Sequence, residues 1–246
     1  MFNEKNYIYE IVPDASELNE NGLLKPYAYQ NLFGIIAEKH LNKINLNLDT
    51  TMKYGLAWAL ISISLEISNP IKGCNKLFAQ TWHSHRKGPF FRRELVFKDE
   101  NENLLFEGST FSVLLDLETR SVYRKKDTPF YIGAADQEFT IDASPSFKTN
   151  IDFTDYDQRK VYNSYIDCLG HVNNTRYGEF AYDALTYNEK ENLHKLKRYE
   201  VFFLSELRDN DIFTVQKGTI NNQIIIRGIN NTSKQTSFDV IMDFDI

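Results

Sequence analysis

The chain has 246 residues, 42% apolar and 14% aromatic, enough to bury a sizeable core in one large unit or two small ones. A formal charge of −6 argues against a nucleic-acid binder with an overall basic field. Two cysteines, Cys74 and Cys168, suggest neither a disulfide framework nor a zinc site, and the early residues lack a signal-peptide core. A soluble chain in a reducing cytoplasm is expected, with no membrane span.

Taken in order, Tyr7 to Val12 has strand composition, and a polar connection follows from Asp14 to Gly22. Pro26 suits the first turn of a helix, in which Tyr29, Leu32, Phe33, Ile36, Ala37 and His40 recur at helical spacing to about Asn42. Strand-like runs come next at Ala57 to Ile67, Lys76 to His83, Phe90 to Lys98 and Leu104 to Leu117, separated by turn-forming residues. Several strands after one helix predict an antiparallel sheet packed on that helix, an α+β arrangement. Residues 128–156 break the pattern with Pro129, Gly133, Pro145 and scattered acids, and are expected to form a linker between units at 1–127 and 157–246.

The second unit begins with Lys160 to Ile166, β-branched and aromatic enough to predict a strand. From Asn174 a buried helix face is marked by Tyr177, Phe180, Ala181, Ala184 and Leu185. Strands are expected near Lys197 to Leu207, Ile212 to Lys217, Ile220 to Gly228 and Thr236 to Asp243. The five helix positions repeat those of the first helix at an offset of 148 (Tyr177 against Tyr29), and the same offset relates Gly170 to Gly22. Two copies of one unit are implied.

That repeat isolates the chemistry. Between the predicted strand and helix, Asp167, His171, Asn173 and a helix N-terminus are brought together, which suits a developing oxyanion. In the first copy His171 is replaced by Leu23, Asn173 by Lys25 and Asn174 by Pro26, so only the second turn carries polar groups. An offset of 140 aligns Glu66 with Glu206, leaving open whether Glu206 is structural. Cys168 is expected to face away from Asp167 into the core.

The segment Asp167-x-x-Gly-His-Val-Asn-Asn-Thr-Arg-Tyr177 resembles the signature of the bacterial and plant acyl-acyl carrier protein (acyl-ACP) thioesterases. Gly22-Leu-Leu-Lys-Pro26, Trp58 to Ile63 and Asp116-Leu-Glu-Thr-Arg120 are similar to the same family. The resemblance implies two tandem hotdog domains, each a long helix packed on a curved antiparallel sheet. It also implies release of free fatty acid, with Asp167, His171 and Glu206 in the site. With no other nucleophile motif present, direct attack of water is expected, with Asn173 beside the helix N-terminal donors and no cofactor or metal. The family's asparagine two residues before the histidine is Leu169 here, and the cysteine some members carry after the glutamate is Leu207. The implied partner is an acidic carrier protein presenting the acyl chain on phosphopantetheine. The acid-free basic stretch from Lys72 to Arg93, with Arg86, Lys87, Arg92 and Arg93, is the expected docking surface. An acyl-coenzyme A thioesterase and a non-catalytic acyl-binding protein are the alternatives, and either a monomer or a homodimer fits.

Overall fold

The computed structural model describes residues 4–132 and 137–245. The elements are β1 (Tyr9–Ile11), α1 (Pro26–Lys43), α2 (Leu48–Met52), β2 (Leu56–Ile67), β3 (Leu77–Lys87), β4 (Phe90–Lys98), β5 (Leu104–Asp116) and β6 (Ser121–Val122). The second half adds β7 (Thr154–Lys160), α3 (Asn174–Asp183), α4 (Tyr187–Glu191), β8 (Leu196–Phe203), β9 (Ile212–Ile220), β10 (Gln223–Asn230) and β11 (Thr236–Phe244). All strands form one sheet in the order β1-β3-β4-β5-β2-β8-β11-β10-β9-β7, with β6 on β5. The halves join where β2 runs antiparallel to β8, from Ser62 opposite Phe202 to Glu66 opposite Arg198.

Both long helices lie against this sheet because of the stripes seen in the sequence. Pro26 opens α1 with a φ already set for a helix, and Ala28, Tyr29, Leu32, Phe33 and Ile36 bury its inner face. In α3 the buried residues are Tyr177, Gly178, Phe180 and Ala181. Gly178 is required by close approach: a Cβ there would lie 2.5 Å from the Tyr199 hydroxyl and 2.8 Å from Tyr27 Cβ on α1. The aromatic cores repeat as well. Tyr29 meets Phe106 edge-on at 5.0 Å, and Tyr177 meets Phe238 at 4.9 Å. A mixed helix and antiparallel-sheet architecture is therefore observed, in two similar halves.

The opposite face of the sheet is covered by the segment that precedes β7. The Thr140 hydroxyl donates to Glu94, Arg92 donates to the Ile141 carbonyl, and Arg198 to that of Asp142. Ser62 donates to the Ser144 carbonyl, Phe147 stacks on Phe202 at 5.5 Å, and the Arg227 guanidinium sits 4.3 Å from the Phe153 ring. The segment is thus a strap fixed by polar and aromatic anchors. Gly133, one of its expected breakers, lies outside the described residues.

Two local expectations fail. Lys160 to Ile166 is not a strand: β7 ends at Lys160 and a 3-10 turn spans Asn163–Tyr165, after which Ile166 makes only an isolated bridge to Val172. Val161 is buried and Tyr165 and Ile166 pack against the core without a neighbouring strand, while Tyr162 stays exposed. Glu206 also lies outside any strand, because β8 ends at Phe203.

Candidate active site

The turn before α3 is built by its backbone. The Asp167 amide donates to the His171 carbonyl, and Gly170 takes a φ of 81°, a conformation in which only glycine is unstrained. The Asp167 carboxylate accepts from the Leu169 amide at 2.8 Å, and the Val172 amide donates to the Leu207 carbonyl at 2.8 Å. The last bond draws the loop after β8 against the turn, which sets Glu206 beside His171.

The first half contains the same turn. Asn19 donates to the Leu23 carbonyl, Gly22 has a φ of 71°, and the Leu24 amide donates to the Ile71 carbonyl. Tyr29 Oη accepts from the Ile71 amide at 3.0 Å as Tyr177 Oη does from the Leu207 amide at 3.3 Å. The turns are thus related by an offset of 148 (Val172 against Leu24), but the loops facing them by 136 (Leu207 against Ile71). Glu206 consequently corresponds to Pro70. The expected match of Glu206 with Glu66 is a coincidence of sequence: Glu66 lies within β2 and accepts from Arg198 at 2.5 Å. Three polar groups of the second turn, Asp167, His171 and Glu206, replace Asn19, Leu23 and Pro70.

These three converge. His171 Nδ1 is 3.5 Å from Asp167 Oδ2, and Nε2 is 4.0 Å from Glu206 Oε1. The other Glu206 oxygen accepts from Arg208 at 2.8 Å and from Arg120 at 3.3 Å. Burial, the largest single influence, pulls the Glu206 carboxyl up, yet the Arg208 hydrogen bond and the charges of His171, Arg208 and Arg120 together outweigh it and hold the group below the usual glutamate range. Tyr177 is pushed up to about 12, chiefly by burial, so its phenol stays neutral.

A cleft of about 590 Å³ opens onto this cluster. One wall comes from the first half, with Ala57, Trp58, Leu60, Val113, Leu115 and Arg120 among its residues. The other carries Asp167, His171, Asn174, Tyr177 and Glu206. An apolar trough ending in ionisable groups accommodates a chain with a polar reactive end. Among the described residues no group of three or more His, Cys, Asp and Glu side chains is placed to hold a metal ion, and no helix is long and apolar enough to cross a membrane.

Other expected site residues fall elsewhere. Asn173 is the N-cap of α3, its oxygen accepting from the Thr175 amide at 3.0 Å and hydroxyl at 2.8 Å, while its neighbour Asn174 lines the cleft. Leu169 is at the cleft wall. Cys168 is exposed, contrary to the expectation of a core thiol, because the turn is not preceded by a strand. Arg92 is nearly buried against the fully buried Glu94 at 2.6 Å, which removes it from any docking surface. Arg86 donates to the carbonyls of Lys126 and Lys125 at 2.6 and 2.8 Å, and Arg93 is half-buried near Thr81. Lys87 is exposed. Sequence reasoning missed Arg120, Arg208, Asn174 and the Tyr177 hydroxyl; the signals available were the Glu-Thr-Arg run for Arg120 and helical spacing for Tyr177.

One sheet shared by two helix-bearing halves, each a helix packed on antiparallel strands, defines a tandem hotdog protein. Residues 5–128 match the acyl-ACP thioesterase N-terminal domain and residues 149–244 the acyl-ACP thioesterase C-terminal domain. The chain belongs to the acyl-ACP thioesterase family. It is similar in structure to an acyl-ACP thioesterase from Bacteroides thetaiotaomicron, with 19% identity, a TM-score of 0.83, and 99% of this chain and 100% of that one covered. A putative oleoyl thioesterase from Lactobacillus plantarum superposes with 16% identity and a TM-score of 0.80 over 97% of this chain and 95% of the other. The 12:0-ACP thioesterase from Umbellularia californica does so with 12% identity and a TM-score of 0.78 over 97% and 96%. No curated protein matches the chain in sequence.

Proposed function

We propose that the cleft hydrolyses the fatty acyl thioester of acyl carrier protein through Glu206, His171 and Asp167. The observation that carries this is the Asp167–His171–Glu206 array at one turn and its replacement by Asn19, Leu23 and Pro70 at the other. The 4.0 Å between His171 Nε2 and Glu206 Oε1 is too long for a direct hydrogen bond but suits a water bonded to both. Its oxygen attacks the carbonyl carbon and Glu206 takes its proton. His171, oriented by Asp167, hydrogen-bonds the attacking water, and the proton taken by Glu206 is passed on to the departing thiolate as the C–S bond breaks, which returns the carboxylate to its starting state. The oxyanion lies towards Asn174 at the first turn of α3, where the helix dipole favours negative charge. Because one chain contributes both cleft walls, a monomer suffices.

The carrier would dock through the exposed Lys87 together with Arg124, Lys125 and Lys126, which Arg86 holds beside the β3–β4 hairpin. His171→Ala and Glu206→Gln should each lose about 10²- to 10⁴-fold in kcat while remaining folded, and Glu66→Gln should stay near the wild-type rate. The measurement is thiol release from acyl-ACP and acyl-coenzyme A of several chain lengths. Tight acyl binding without turnover in the unaltered protein would instead establish a binding protein. Preference for the coenzyme A ester would identify the nucleotide thioester as the substrate.

A further inference from the structure

Arg120 stands at the end of Asp116-Leu-Glu-Thr-Arg120, in the turn between β5 and β6. The turn is set by Asp116, whose carboxylate accepts from the Glu118 amide at 3.1 Å and the Thr119 amide at 2.9 Å. Arg120 itself takes a φ of 50°, a backbone that glycine adopts without strain and an arginine does not. From this position the guanidinium crosses from the first half to the second and donates to Glu206 Oε2 at 3.3 Å. Arg208, two residues beyond Glu206, donates to the same oxygen at 2.8 Å. With Oε2 occupied twice, Oε1 is left towards His171.

The two arginines reach Glu206 from different halves of the chain. Arg208 corresponds to Lys72 by the offset of 136 that relates Leu207 to Ile71. We infer that Arg120 is a positioning residue for hydrolysis: it fixes the Glu206 carboxylate from the opposite wall of the cleft so that the free oxygen meets the water held by His171. This inference rests on the role proposed for Glu206.

The charged groups acting on Glu206 are His171 from the turn and Arg208 and Arg120 on its far side, with Asp167 behind His171 and the neutral Tyr177 phenol nearby. Arg120 favours the ionised carboxylate, so its removal raises the Glu206 pKa and moves the acid limb of the rate profile to higher pH. An exposed pair of this kind contributes little to folding stability, which separates the catalytic effect from a structural one.

The test measures kcat and KM for lauroyl-acyl carrier protein from pH 4 to 9, with thermal unfolding, for Arg120→Gln, Arg120→Lys, Glu206→Gln and the double variant Arg120→Gln/Glu206→Gln. Arg120→Gln should unfold within about 2 °C of wild type, lose about tenfold in kcat with KM nearly unchanged, and shift the acid limb upward by about half a pH unit. Arg120→Lys should restore most of the limb's position by keeping the charge. The double variant should be no slower than Glu206→Gln alone, since Arg120 acts through that carboxylate. A wild-type kcat and acid limb in Arg120→Gln, a change confined to KM, or an additive loss in the double variant would each overturn the inference while leaving Glu206 in place. A wild-type rate in Glu206→Gln would overturn the role of Glu206 itself, and the inference with it.

Discussion

Truncating Arg92 to alanine tests whether the basic stretch around it serves carrier docking or folding. Its guanidinium touches Glu94 at 2.6 Å, Ser109 Oγ at 2.8 Å and the Ile141 carbonyl at 2.6 Å, and Glu94 is fully buried. Removing one partner of such a pair strands a buried carboxylate and typically costs about 3–5 kcal/mol. Glu94 retains neutral donors, Ser84 Oγ at 2.6 Å and Thr140 Oγ1 at 2.7 Å, which places the expectation near the lower figure. For a chain of this size about 3 kcal/mol lowers the midpoint of thermal unfolding by roughly 6–12 °C. Calorimetry or circular dichroism gives that midpoint, and KM for acyl-ACP at 20 °C reports docking on the folded fraction. Pairing Arg92→Met with Glu94→Gln should recover most of the lost stability, because the glutamine still accepts from Ser84 and Thr140 without an uncompensated charge. An unchanged midpoint accompanied by a raised KM would refute this account and return Arg92 to the docking surface.

Gly34→Ala should stabilise the protein by about 0.5–1 kcal/mol, since Gly34 lies exposed inside α1 and a Cβ there meets nothing within 4 Å. The check is a rise of roughly 1–4 °C in the unfolding midpoint. Asn173→Ala and Asn174→Ala should separate cleanly by assay: loss of the α3 cap costs about 0.5–2 kcal/mol of stability. Loss of the cleft-lining Asn174 lowers kcat by about 10²-fold with little change in unfolding.

Sequence patterns revealed the fold where one principle governed a whole segment. The stripe from Tyr29 to Ile36 and the strand runs from Phe90 to Lys98 and from Leu104 fall where the helix and strands lie, because burial on one face dictates both. Short elements such as α2 and α4 have too few residues to show a period. Lys160 to Ile166 misled because aromatic and β-branched residues also serve a turn whose side chains plug the core beside α3. Arg92 misled for a different reason: Glu94, two residues on and therefore on the same strand face, neutralises it inside the protein. The Asp167–His171 turn was legible through the contrast with Leu23. Asn173 was not separable from Asn174 by sequence, since an asparagine suits both a helix cap and a polar contact with substrate.

The repeat also explains why the proposed chemistry is confined to one turn. Duplication supplies the glycine turn, the helix it precedes and the tyrosine that receives the facing loop's amide, and these recur with closely similar hydrogen bonds in both halves. None of them is reactive. The groups proposed to react depend on features the halves do not share. Glu206 requires a loop residue where the first half has Pro70, and His171 requires the place of Leu23. The second anchor of Glu206, Arg120, comes from the β5–β6 extension of the other half. The first half therefore contributes to the site as its opposite wall: Ala57, Trp58, Leu60, Val113 and Leu115 line the trough, while Arg120 reaches its polar end. Fusion into one chain fixes this division of labour, because the strand pair β2–β8 locks the wall of one half against the turn of the other.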